Sequence, residues 1–236
     1  MAKDLPSIVV LTGAGISAES GVKTFRDAGG LWEGHRVEDV ATPEAFVRNP
    51  LVVQDFYNQR RQQLTTVEPN AAHIALADFE GSYAGEFLLV TQNVDNLHER
   101  AGSRKLLHMH GELLNKYCTL CFEVSEQTGD LGIDDCCVQC GQSGGLRPDI
   151  VWFGEMPKYM DTIYDALARC KLFLSIGTSG NVYPAAGFVQ VAAEAGAQTI
   201  EINLDPGGSS RLFSQHIHGK AGECLPAYLK NLLVKV

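Results

Sequence analysis

The 236-residue sequence has no surplus of positive charge: 19 lysines and arginines face 28 aspartates and glutamates, a balance of −9 with histidine neutral. Gripping a polyanion requires neutralised phosphates, so this balance disfavours a nucleic-acid partner and suits a neutral or cationic one. Long apolar runs are missing as well. No stretch approaches the ~18 to 20 residues that span a bilayer, and residues 1–6 lack the basic and apolar regions of a secretory signal. The expectation is a soluble, cytoplasmic protein with no membrane contact. Cysteine is scarce, seven in all and odd in number. Four of them form CxxC pairs, which points to metal-binding thiolates in a reducing compartment and away from a disulfide framework. Apolar side chains are not lacking: 45% of the residues are hydrophobic, enough for a core and too many for a disordered chain.

What is present has a repeated grammar. SIVVLTGAG from Ser7, EFLLVTQN from Glu86, CKLFLSIGTSG from Cys170 and AQTIEINLDP from Ala197 are apolar runs that end in small or polar residues. Helix-compatible stretches separate them, which predicts an α/β fold around a parallel sheet. Ligands of such sheets collect beyond the carboxyl ends of the strands, where Gly13, Gln92, Gly177 and Asn203 converge. Two stretches break the alternation and read as insertions into one globular unit. Residues 49–64, NPLVVQDFYNQRRQQL, carry a capping Asn49, a first-turn Pro50, and Val53, Phe56, Tyr57, Arg60 and Leu64 at helical spacing. Residues 118–140 are too polar to build an apolar core without a cross-link.

That second insertion holds the most specific local signal. Cys118 and Cys121 form one CxxC, and fifteen residues later Cys137 and Cys140 form another. The spacing fits a four-thiolate zinc site, closed to water and therefore structural. A redox dithiol is disfavoured by the second pair. Cys136 breaks the spacing, and Cys170 and Cys224 read as packed or peripheral thiols. A second signal is Gly13-Ala14-Gly15-Ile16-Ser17-Ala18, a GxGxxA element directly after a strand, where glycines admit a pyrophosphate to a helix start. By itself it is weak. The acidic residue expected about twenty positions on is not clearly placed, because Glu33, Glu38 and Asp39 lie in a Gly- and His-containing stretch. A third signal is His108-Met109-His110-Gly111, where a histidine beside a glycine turn can serve as a base. If that segment is extended, His108 and His110 share a face that also suits a metal, with no third ligand at a recognisable spacing. His35, His73, His98, His216 and His218 read as packed or solvated residues.

Taken in order, GAGISAESG, TFR, TQNVDNLH, HMHGEL, the paired CxxC, IVWFGE, GTS and INLDP make the chain resemble, nearly end to end, the bacterial class III sirtuins, which are NAD-dependent protein-lysine deacylases. The resemblance implies a Rossmann-type core over about 1–35, 84–112 and 146–236. It also implies a smaller domain made of a helical insertion at 36–83 and a zinc module at 113–145. NAD, consumed as co-substrate, would contact Gly13, Ala14, Gly15, Ile16, Ser17, Phe25, Arg26 and Trp32. Gln92, Asn93, Val94 and Asp95 would surround its nicotinamide and ribose. Gly177, Thr178, Ser179, Asn203, Leu204, Asp205 and Ala221 would hold the phosphates and adenosine. His110 matches the family's base, with Asn93 and Asp95 beside it in the catalytic set. The acylated peptide would add as a strand beside Val151, Phe153 and Gly154.

Tyr57 and Arg60 stand at i and i+3 and resemble the class III acyl-selectivity pair, with Ala41 small enough to leave room for a longer acyl chain. A guanidinium matches a carboxylate, so the resemblance implies acceptance of succinyl- as well as acetyl-lysine. From spacing alone, Arg60 in the Arg60-Arg61 pair reads as a solvated helix charge. A zinc-ribbon nucleic-acid binder is disfavoured because residues 113–147 set Lys116 and Arg147 against Glu123, Glu126, Asp130, Asp134 and Asp135. A hydride-transferring dehydrogenase and an ADP-ribosyltransferase are the enzymatic rivals, separable by their products. The expected assembly is a monomer.

Overall fold

A computed structural model of the chain describes residues 5–23, 31–32 and 34–235, with backbone alone at 31, 32 and 235. The strands among these are, in chain order, β1 (Ile8–Thr12), β2 (Leu31–Trp32), β3 (His35–Arg36), β4 (Phe87–Thr91), β5 (Leu106–His108), β6 (Gly111–Cys118), β7 (Val124–Glu126), β8 (Leu146–Ile150), β9 (Leu172–Ile176), β10 (Gln198–Asn203) and β11 (Gln215–His218). Six of them form one wholly parallel sheet in the order β11-β10-β9-β1-β4-β5. The four apolar runs singled out in the sequence supply its central strands. The edge strands β5 and β11 escape notice because they are short and partly polar.

Both faces of this sheet are buried, and the side chains show it by alternating between two cores. Ile8 and Val10 face one cluster with Leu89, Leu174, Ile200 and Ile202, under the helices Ala71–Ser82 and Ala221–Lys235. Val9 and Leu11 face the other with Val90 and Phe173, under Met160–Arg169 and Phe188–Glu194. A period of two with apolar residues on both sides is why these strands read as continuous hydrophobic runs.

A third core joins the helical insertion to a three-stranded antiparallel sheet of order β7-β6-β8. The Pro50–Leu64 helix starts where the sequence predicts it, with the Asn49 side chain accepting from Val52 N at 3.3 Å. Its Val53, Phe56, Tyr57 and Leu64 pack against Leu113, Ile150 and Trp152. Arg61, next to Arg60 in the sequence, is fully buried, and its Nε donates to Leu113 O at 2.9 Å. The Ala71–Ser82 helix falls within the stretch grouped above with the insertion, yet Ala72, Leu76 and Phe79 belong to the sheet's own core. Among the described residues no helix is long and apolar enough to cross a membrane.

Candidate active site and zinc module

The carboxyl edge of the parallel sheet is drawn together by backbone contacts. Gly13 N donates to Ile176 O at 3.1 Å, Gln92 N to Thr12 O at 2.9 Å and Gly177 N to Ile202 O at 2.9 Å. Gly13, Gln92, Gly177 and Asn203 therefore meet, as their strand-end positions predict. The strand order reverses between β1 and β9, the place where ligands of open α/β sheets bind. Glycine is required there. A Cβ on Gly15 would lie 2.7 Å from both Cα and O of Gly177, which itself has φ +61°. Asn203 Nδ2 donates to Thr178 O at 2.7 Å, and Gly208 N to Ser179 O at 2.8 Å, which ties the two outer strand ends into the same rim. Leu204 and Asp205 are exposed on it, whereas Ala221 packs in the same core as Ile16. Ala14 is half-buried in the short Ala14–Ser17 helix. Phe25 and Arg26 lie outside the described residues, and Trp32 is described only as the backbone partner of His35.

Behind this rim lies a buried polar cluster. Ser17 Oγ donates to Asp95 Oδ2 at 3.0 Å and accepts from Asn93 Nδ2 at 3.0 Å. Leu97 N donates to Asp95 Oδ1 at 3.1 Å. Burial pushes the Asp95 carboxyl above its ordinary pKa, against the hydrogen bonds from Leu97 and Ser17. Val94 O accepts from Leu113 N at 2.9 Å, so the Gln92–Asp95 turn is fastened to the antiparallel sheet. His73 and His98 stand underneath as packed rings 4.8 Å apart, in keeping with a structural role, and His98 Nε2 meets Thr12 Oγ1 at 3.0 Å.

Two residues apart, His108 and His110 are shifted in opposite directions. His110 Nδ1 lies 3.1 Å from Gln92 O, and a carbonyl can only accept, so Nδ1 carries the hydrogen. Burial lowers the His110 pKa in spite of that bond, which favours the neutral ring and leaves Nε2 as its basic nitrogen. His108 bonds Asn93 O through Nδ1 at 2.9 Å and Glu99 Oε1 through Nε2 at 2.6 Å. Burial opposes its charge, but the Glu99 bond and field, the Asn93 carbonyl and Glu112 outweigh it and raise the pKa. His108 accordingly groups with Glu99 and Glu112, not with His110. The sequence carried no signal for Glu112 as a neighbour, because that contact depends on how β6 leaves the His110 turn.

On the far side of His110, Val151 N donates to His110 O at 2.8 Å and Phe153 N to Ala41 O at 3.0 Å. Phe153 and Gly154 are exposed. Tyr57 is buried, with its hydroxyl accepting from Trp152 Nε1 at 2.9 Å. Arg60 is half-buried, its guanidinium carbon 4.0 Å above the Phe56 ring and its Nη1 donating to Phe56 O at 2.7 Å. It is thus less solvated than spacing suggests.

The four predicted thiolates come together, with Sγ to Sγ distances of 3.9 Å for Cys118–Cys140 and 3.6 Å for Cys121–Cys137. A tetrahedron with Zn–S bonds of about 2.3 Å has edges of about 3.8 Å, so the donor set fits zinc. Cys136 is exposed and outside the cluster, and Cys170 is buried with Sγ 3.2 Å from Leu167 O, both as expected. The module's apolar core is Leu131 and Leu146 with the cysteines. So small an apolar core leaves a metal cross-link to hold the module together.

Fold and site together define a class: a Rossmann-type α/β protein with a crevice suited to a dinucleotide, a half-buried histidine beside it, and a four-thiolate metal module inserted next to both. The Sir2 family model matches residues 13–184. An NAD-dependent protein deacylase of Bdellovibrio bacteriovorus is 58% identical over 96% of this chain and 97% of its own. A solved Sir2 homologue in complex with NAD superposes with a TM-score of 0.88 at 39% identity, over 97% of this chain and 90% of that one. A Sir2 protein bound to a p53 peptide and NAD+ does so with 0.78 at 26%, over 97% and 92%. The chain belongs to the Sir2 family.

Two outcomes are expected. Stripping zinc with a strong chelator unfolds residues 119–145 first, seen as rapid amide exchange there while β1 and β9 stay protected. The raised His108 pKa contributes stability that is complete below the unfolded value of about 6.5 and is lost as pH rises through the folded value. Glu99→Gln flattens the urea midpoint against pH in that window; an unchanged slope refutes the ion pair.

Proposed function

We propose that this chain is an NAD-dependent protein-lysine deacylase, which moves the acyl group from lysine to ADP-ribose and releases nicotinamide and O-acyl-ADP-ribose. The observation that carries the proposal is the setting of His110, whose Nδ1–H points to Gln92 O while burial lowers its pKa and leaves Nε2 to act as base, beside Asn93 and Asp95 at the sheet's switch point. NAD, when bound, supplies a ribose acceptor and a departing nicotinamide. His110 Nε2 takes the proton from a ribose hydroxyl. The Asn93 amide and Asp95 carboxyl, already held by Ser17, suit a carboxamide and the adjoining ribose. Gly13 to Ser17 and Gly177 to Ser179 suit the phosphates, and Asn203 to Asp205 with Ala221 suit the adenosine. Phe25, Arg26 and Trp32 belong to the same proposed set. Cys118, Cys121, Cys137 and Cys140 hold a structural zinc.

The acylated peptide pairs as a strand along Val151, Phe153 and Gly154. With the amides of 151 and 153 already given to His110 O and Ala41 O, that pairing draws on the carbonyls of this strand and on Gly154. Ala41, Tyr57 and Arg60 form the acyl pocket, and a guanidinium there extends the activity from acetyl- to succinyl-lysine. The two-part division of the chain, a monomeric state and a reducing, cytoplasmic setting for the four thiolates complete the reading.

Mass spectrometry of NAD with acetyl- and succinyl-lysine peptides tests it. O-acyl-ADP-ribose and free nicotinamide are expected with the wild type and about 10²-fold less with His110→Ala. Appearance of NADH, or ADP-ribose attached to the peptide, overturns the proposal in favour of hydride transfer or ADP-ribosylation. For the pocket, Arg60→Met is expected to lose desuccinylation about ten-fold or more while sparing deacetylation. Equal losses on the two peptides contradict the assignment.

A further inference from the structure

Arg147 in β8 and Glu155, eight positions further on in the loop that follows, form a bidentate pair, Nη1 to Oε1 at 2.7 Å and Nη2 to Oε2 at 2.8 Å. The pair does more than bridge its own ends. Arg147 Nη2 also donates to Ile150 O at 2.7 Å, and Glu155 Oε2 also accepts from Trp152 N at 2.8 Å. Gly154, with φ +93°, lets the chain double back so that Glu155 reaches. The loop is thus gripped at its start, middle and end by one guanidinium and one carboxylate.

The same guanidinium lies flat against the indole, with its carbon 3.5 Å from the Trp152 ring centroid. Trp152 is buried, meets Phe46 at 5.4 Å between ring centroids, and places Nε1 on the Tyr57 hydroxyl at 2.9 Å. On the next residue, Phe153 N is fastened to Ala41 O. The peptide-side loop, Tyr57 and Ala41, all assigned above to the acylated lysine, are therefore linked to this pair. The strand beside the peptide is the loop itself, Tyr57 is reached through the indole, and Ala41 through Phe153. The Arg147 side chain is 10% exposed and that of Glu155 30%, so water does not readily replace the fork.

We infer that Arg147 and Glu155 are positioning residues for the acyl-lysine site, setting together the peptide-pairing loop and the Tyr57 end of the acyl pocket; this rests on the function proposed above. The pair is electrically neutral, so it adds no net charge to attract an acid-terminated acyl group. Its contribution is geometric: a hydroxyl oxygen that accepts from a fixed indole is held in place.

Neutrality gives the inference a sign. Removing the Glu155 charge uncovers a cation beside Tyr57, which by electrostatics alone favours succinyl-lysine over acetyl-lysine. Loss of positioning has the opposite effect, because the carboxylate end depends on Tyr57 and the acetyl group does not. The test is steady-state kinetics of the wild type, Glu155→Gln and Glu155→Asp with both acyl-peptides, with NAD varied separately. Binding of fluorescein-labelled acyl-peptide and urea midpoints are measured alongside. For Glu155→Gln we expect KM for peptide to rise about ten-fold, KM for NAD to hold within about two-fold, and the succinyl-to-acetyl ratio of kcat/KM to fall. Glu155→Asp, which keeps the charge, should recover part of each. An unchanged or rising ratio, or peptide binding that weakens only in step with the urea midpoint, overturns the inference. A wild type that forms no O-acyl-ADP-ribose overturns the functional proposal instead.

Discussion

One close approach is the constraint from which the site follows: the turns after β1 and β9 touch backbone to backbone. Gly15 N donates to Gly177 O at 2.8 Å, leaving no room for a side chain on Gly13 or Gly15. Any residue but glycine would drive the two strand ends apart. Ser17 is one helical turn beyond Gly13, so the separation would carry its hydroxyl away from Asn93 and Asp95. The same contact marks where the strand order reverses, and so where a crevice exists at all.

From that point the chemistry is arranged by carbonyl groups more than by side chains. Gln92 O and Asn93 O follow each other after β4 and orient two imidazoles two residues apart. One ring has a carbonyl and burial, and its pKa is lowered; the other has a carbonyl and a carboxylate, and its pKa is raised. A single turn thus shifts the same residue type in two directions. The buried cluster beneath, Thr12 with Thr91 and His98 and Ser17 with Asp95, keeps that turn from shifting.

The metal module takes part by attachment. It grows from β6 and returns through β8, the two strands that leave His110 and enter the Trp152 loop. The Pro50–Leu64 helix closes the arrangement, with Asn58 exchanging hydrogen bonds with Leu131 and Gln54 Nε2 donating to Leu146 O. A fixed four-thiolate cluster therefore steadies the far ends of the same elements that frame the site.

Much of this was legible in the sequence, for reasons that are local. The runs at 8–11, 87–91, 172–176 and 198–203 have to be buried strands whatever surrounds them, Asn49-Pro50 can only open a helix well, and two CxxC turns can only aim their sulfurs at a common point. Ordered motifs then supplied the family resemblance and pointed to His110 as the candidate base. What local pattern leaves open is which distant groups share a dielectric and a hydrogen bond. Arg60 and Arg61 are neighbours of one type, yet Arg61 is the one sealed under Leu113, because the helix turns that face toward β6. His108 and His110 diverge in pKa because one faces Glu99 and the other does not. Arg147 reaches Trp152 and Glu155 because Gly154 reverses the chain. Burial and partner choice are properties of the assembled fold, and they alone turn a list of residue types into tuned ionisable groups and a shaped pocket.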